Sequence, residues 1–306
     1  MQNLEVDLDK LKIKNPILTA SGTFGYGLEY TSFGALNKLG GIITKGLSLE
    51  PRQGSSGHRV FETPCGIINS IGLQNIGVKS FVQDKLPNLP WDQTPVITNI
   101  YGNSISEFEE LADYLAGQKE IAALEVNISC PNVSAGGMLF GQDPDLAGQV
   151  CQRVKSRAGD KPVIMKLTPN TGDILGIARA VQDAGADIIS LINTITAMEV
   201  DIESRTPVLG NVTGGLSGPC IKPIALRMVH EVCQNVQIPV IGIGGISSAR
   251  DILEFILVGA HAVELGSINF SRPDISFQLV NELSRLTREL NIGSWEEFRG
   301  MLETQG

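Results

Sequence analysis

The chain has 306 residues, 24 basic and 33 acidic, which gives a formal charge of −9 and a sequence isoelectric point of about 4.9. Apolar residues make up 42% and charged residues 19%, a globular composition rather than a disordered or fibrous one. The acidic balance speaks against a nucleic-acid clamp, and no apolar run approaches the roughly 18 residues that a membrane span needs.

In chain order, β-rich runs are expected at 17–20, 42–45, 96–100, 124–128, 163–167, 188–192, 240–243 and 262–265. Their cores are almost wholly apolar rather than alternating, as strands read when both faces of a parallel sheet are covered. Amphipathic segments lie between them. Ser104-Ile-Ser-Glu107 reads as a capping box opening a helix to about 115. The stretches 144–158, 173–184, 221–236 and 248–257 read as further helices, and Gly185 and Gly259 stop two of them. Strand–helix alternation over eight strands predicts an α/β fold, a (β/α)8 TIM barrel of ordinary size. An open doubly wound sheet is the competitor, but no GxGxxG follows the first strand. The connections 46–91 and 194–239 are too long for plain crossovers, so they are expected as long inserted loops at the C-terminal mouth. No linker or repeat interrupts the pattern, and a single domain over 1–306 is expected.

The strand ends are chemically alike. They carry Ser21, then Lys45-Gly46, then Asn99, then Asn127-Ile-Ser-Cys130-Pro-Asn132, then Lys166, then Ile192-Asn193-Thr194, then Gly244-Gly245, then Gly266-Ser267. Any one of these has a plain reading as a turn residue or tight bend. Eight consecutive strand ends of this kind point instead to one functional rim. Gly244-Gly245 and Gly266-Ser267 follow strands seven and eight, where barrels often bind phosphate on backbone N–H groups.

Lys45 and Lys166 sit in apolar strands, where an ammonium is costly unless it is paired. Each reads either as half of a structural ion pair or as a charge facing an anionic or electron-rich ligand. Cys130, at a strand exit before a proline, can serve as a general base if its thiolate is favoured. The remaining cysteines, Cys65, Cys151, Cys220 and Cys233, lack that setting, and Cys151 and Cys233 read as packing residues within helices. No C-x-x-C pair occurs, and the three histidines show no ligand spacing, so no metal is assigned. An odd cysteine count without an apolar signal core over residues 1–15 leads to the expectation of a reducing, cytoplasmic setting. Asn69-Ser-Ile-Gly-Leu-Gln-Asn75 adds amides to those of Asn127, Asn132 and Asn193, a set suited to a ligand with amide edges.

With these motifs assembled, the sequence resembles class 1 dihydroorotate dehydrogenases over nearly its whole length. The motifs that carry the resemblance are Ala20-Ser-Gly-Thr-Phe-Gly25, Asn69 to Asn75, Asn127 to Asn132, and Asn211-Val-Thr-Gly-Gly-Leu-Ser-Gly-Pro219. The last of these, running on into Ile221-Lys-Pro223, is most similar to the class 1B catalytic subunit. Class 2 enzymes carry serine as base and an extra N-terminal segment, whereas this chain has Cys130.

The resemblance implies a single FMN-binding barrel that oxidises dihydroorotate to orotate in pyrimidine synthesis. It implies Cys130 as the base for the C5 proton, with hydride passing from C6 to the flavin. Lys45, Asn69, Ser70, Ile71, Gly72, Leu73, Asn127, Asn132, Asn193 and Thr194 would bind the substrate. Ser21, Lys45, Gly46, Asn99, Asn127, Lys166, Ile192, Gly218, Gly244, Gly245, Gly266 and Ser267 would hold FMN. Gly46 stands where the family often has alanine, a small change expected to leave the site intact. Class 1B further implies a homodimer core in a heterotetramer, with FAD and a [2Fe–2S] cluster on a partner subunit that reduces NAD+. The alternatives are a class 1A homodimer using a soluble acceptor such as fumarate, a phosphate-binding lyase or aldolase with a Schiff base on Lys166, and a non-catalytic scaffold.

Overall fold

The computed structural model describes residues 4–129 and 140–303. Eight parallel strands close into a barrel: β1 (Ile17–Thr19), β2 (Gly41–Ile43), β3 (Val96–Ile100), β4 (Ala123–Asn127), β5 (Val163–Lys166), β6 (Ile188–Leu191), β7 (Val240–Ile243) and β8 (Ala262–Leu265). Each strand pairs with its neighbours in sequence, and β8 returns to β1 through Val263 opposite Ile17. Almost every strand residue is buried, which accounts for the unbroken apolar runs.

Six helices form the outer layer: α1 (Ile105–Ala116), α2 (Pro144–Arg157), α3 (Ile174–Asp183), α4 (Lys222–Cys233), α5 (Ala249–Leu257) and α6 (Ile275–Glu289). Their starts are fixed by side-chain caps. Asp143 accepts from Leu146 N, Asp173 from Gly176 N, and Ser248 with Asp251 closes a complete capping box on α5. Gly185 and Gly259 take positive φ (94° and 120°) just beyond α3 and α5, as helix stops.

The structure corrects the sequence reading at four points. Ser104 does cap α1, but Glu107 accepts from the backbone and side chain of Asn103 instead of completing a box with Ser104. The first two crossovers carry only short helical pieces, the longest being the five residues Phe81–Lys85; Gly22, Gly25, Gly27 and Gly34 punctuate the first, and Pro87 and Pro90 end the second. The 15-residue α6 was not foreseen, although Ile275, Leu279, Leu283 and Leu286 bury one stripe of it against the barrel. Strand β2 stops at Ile43, so Lys45 stands in the loop at the mouth rather than inside a strand.

The two long connections do not lie separately. Val60–Thr63 and Gly66–Asn69 from the first join Gly214–Ser217 and Ile195–Ala197 from the second in one antiparallel sheet. Asn69 pairs with Gly215 in this sheet, which is the wall that places Asn69 over the mouth. A hairpin of Val6–Asp7 and Lys12–Ile13 packs Leu4, Val6, Leu8, Leu11 and Ile13 into the core. Its Lys10 pairs with Asp187, just ahead of β6, which sets the hairpin at the end of the barrel away from the mouth.

Candidate active site

A cavity of about 1250 Å³ opens at the C-terminal end of the strands. Ser21, Lys45, Gly46, Asn99, Asn127, Lys166, Ile192, Asn193, Thr194, Gly244, Gly245, Gly266 and Ser267 all line it. From the long connections it takes Asn69, Ser70, Ile71, Gly72, Leu73 and Gly218. Cys130 and Asn132 lie outside the described residues; Ser129, immediately before Cys130, lines the cavity.

On one side the lining is built from backbone. Among the described residues the N–H groups of Gly245, Gly266 and Ser267 donate to no protein acceptor, while Gly244 closes the β7–β8 ladder. Three unspent donors after β7 and β8 make an anion cradle. Gly245 has φ +71°, and a Cβ there would come within 2.8 Å of Gly218 O and Lys222 N. Only glycine therefore brings the backbone in this close. The start of α5 adds nothing to the cradle, because the N–H groups of Ser247 and Ser248 both donate to Asp251.

Across the mouth the amides are already oriented. Asn127 Oδ1 accepts from Ser129 N (3.0 Å) and from Asn193 Nδ2 (3.3 Å), and Asn193 Oδ1 accepts from Thr194 N (2.7 Å). Asn69 Nδ2 donates to Gly215 O at 3.2 Å. Among the described residues Ser70 Oγ and Asn99 Oδ1 are buried without a partner, leaving polar atoms that a ligand can satisfy. Leu73 holds φ +55°, a strained backbone for a branched side chain, at the head of the same loop. Gly46 is constrained too: a Cβ there would stand 2.8 Å from Asn99 Oδ1, so alanine fits only if Asn99 moves.

The two lysines differ. Lys45 has no carboxylate within ion-pair distance among the described residues. Burial pushes its pKa below the usual lysine value, with Glu29 opposing from further away. Lys166 is almost fully buried and lies 2.9 Å from Glu264 and 3.3 Å from Glu125. Burial pulls its pKa down, but the two carboxyls outweigh that and hold it above the ordinary value. A lysine kept charged in this way is a poor amine nucleophile, which removes the support for a Schiff base on Lys166.

Several residues of the site were not foreseen. Glu125 and Glu264 point into the barrel beneath the cavity, where barrels ordinarily stack branched apolar side chains. Glu125 accepts from Asn99 Nδ2 and from Ser190 Oγ (2.8 Å). Asn170 holds the mouth by donating to Thr194 O and accepting from Thr196 N, both at 2.9 Å. The signal for the glutamates was present: a charge inside Leu124-Glu-Val and inside Val263-Glu-Leu is as costly as the lysine they meet. Of the other cysteines, Cys151 is fully buried in α2 and Cys233 ends α4, and burial lifts both thiols to about 12.

A family model described as dihydroorotate dehydrogenase matches residues 3–287. Three similar proteins carry the name dihydroorotate dehydrogenase B (NAD(+)), catalytic subunit. The one from Solidesulfovibrio magneticus is 59% identical over 97% of both chains. Those from Maridesulfovibrio salexigens and Pelobacter propionicus are 54% and 50% identical, each over 98% of this chain and 99% of theirs.

Proposed function

The chain belongs to the dihydroorotate dehydrogenase family, and from that premise we propose that it is the catalytic subunit of a B-type enzyme, oxidising dihydroorotate to orotate in pyrimidine synthesis with NAD+ as final acceptor. The observation that carries the reading is one cavity lined by every described residue that the resemblance assigned to substrate or cofactor. The NAD(+) in the relatives' names favours this over a class 1A homodimer using fumarate.

The residues present suit FMN. Its phosphate would take the free N–H groups of Gly245, Gly266 and Ser267, with Gly244 bordering it. Ser21, Gly46, Ile192 and Gly218 would border the ring system, and Asn99 Oδ1 offers it an unsatisfied acceptor. Lys166 would present positive charge to the ring edge that becomes electron-rich. When bound, FMN supplies the two-electron acceptor that the chain's own side chains lack.

Every other task falls to the chain. Lys45 meets the substrate carboxylate, and burial of its ammonium strengthens that contact. Asn69, Asn127, Asn132, Asn193 and Thr194, with Ser70 and the Ile71-Gly72-Leu73 backbone, read the amide edges of the ring. The prior hydrogen bonds of Asn127 and Asn193 fix how those amides face it. The Cys130 thiolate takes the proton from C5, next to a ring carbonyl that stabilises the departing charge. The finer assembly, a homodimer core with FAD and [2Fe–2S] on the partner subunit, rests on the same family reading.

Cys130→Ala tests the assignment of the base. The variant should keep its FMN yet lose about 10²- to 10⁴-fold in dihydroorotate oxidation near neutral pH. A variant that retains full turnover would remove Cys130 from the reaction.

A further inference from the structure

Beneath the cavity, three charged side chains meet in the barrel interior. Lys166 Nζ stands 2.9 Å from Glu264 Oε2 and 3.3 Å from Glu125 Oε2. Glu125 and Glu264 are fully buried and share the one lysine. Two ionised carboxylates on one buried ammonium would leave a charge uncompensated. Glu125 accepts from Asn99 and Lys166 on one oxygen and from Ser190 and Lys166 on the other. Glu264 Oε1 is buried and finds no partner among donors of the described residues.

A single proton removes that excess charge and gives Glu264 a hydrogen to donate. We propose that Glu125 and Glu264 hold a single proton between them in the native protein at neutral pH. Lys166 then carries +1, the carboxyl pair −1, and the cluster is neutral. Were both carboxyls ionised, the cluster would hold a net negative charge in a fully buried place, with two like charges on one ammonium. The proton belongs to the pair as a unit. Burial and the neighbouring Glu125 charge both drive Glu264 toward its protonated form. Glu125, although burial raises it, is drawn below the ordinary range by Lys166 and its hydrogen-bond donors.

The strands beside β8 are β1 and β7, and neither carries a titratable residue. Outside the barrel, α5 commits Asp251 and Glu254 to Lys222. The consequence, which rests on the function proposed above, is that Lys166 keeps its charge for the cavity instead of losing it to two anions. Glu264 is thereby a positioning residue that acts through Lys166.

The proton itself can be tested without substrate. In unfolded chain Glu264 is ionised at pH 7, so folding takes up one proton. Stability must then fall as pH rises above the ordinary carboxyl value, by up to tenfold in the folding constant per pH unit. Glu264→Gln supplies a neutral donor and removes that dependence. The first measurement is the carboxyl carbon-13 NMR spectrum of FMN-loaded chain with labelled glutamate at pH 8. One signal should stand away from the ionised group. The second is the stability of wild type and Glu264→Gln between pH 6 and pH 9, where the wild type should weaken more steeply. All glutamate signals at the ionised position, or equal slopes for the two proteins, would overturn the proposal. The first measurement decides alone if the variant fails to fold. Neither result depends on whether dihydroorotate is the substrate.

Discussion

At the scale of single residues, the site divides into groups already paired and groups left open. Lys166 is paired, and Lys45 is open. Because burial lowers the Lys45 pKa, its charge is lost at a lower pH than that of an ordinary lysine. Affinity for an anionic substrate should therefore hold near neutrality and weaken in the alkaline range before pH 10.5, the ordinary lysine value. Lys45→Ala should lower kcat/KM roughly tenfold to a hundredfold, the worth of a hydrogen bond to a charged group, and abolish that alkaline limb. Steady-state rates across pH check both. Residues of this kind were legible in the sequence because each stands at a strand end, where an amide, lysine or glycine contrasts with the apolar run before it. Glu125 and Glu264 were passed over despite the same contrast, since they stand two residues earlier, inside the strands.

At the scale of elements, backbone shape rather than side-chain chemistry makes the cradle after β7 and β8. Gly245→Ala places a Cβ against Gly218 O and Lys222 N on a left-handed backbone. It should weaken FMN retention strongly while leaving the barrel folded, which flavin content after gel filtration and far-ultraviolet circular dichroism together check. The barrel strands and five of the six outer helices were legible because apolar runs and caps are local signals. The antiparallel sheet over the mouth was not, because Asn69 and Gly215 are distant in sequence and nothing local specifies their pairing. Helix α6 was legible in its buried stripe, Ile275, Leu279, Leu283 and Leu286, but passed over because it follows the last strand.

At the scale of the whole molecule, the barrel supplies one mouth, and the two long connections fold over it. That arrangement sets oriented amides on one side, bare glycine backbone on the other and a charged cluster in the floor. None of the described helices is long and apolar enough to cross a membrane. The B-type reading gives this chain the substrate half of the reaction and a partner subunit the transfer to NAD+. Anaerobic addition of dihydroorotate to the purified, FMN-loaded chain tests that division most directly. The account predicts that the yellow flavin band bleaches and that NAD+ remains unreduced until the partner subunit is added. A flavin band unchanged by dihydroorotate, or NAD+ reduced by this chain alone, would contradict it.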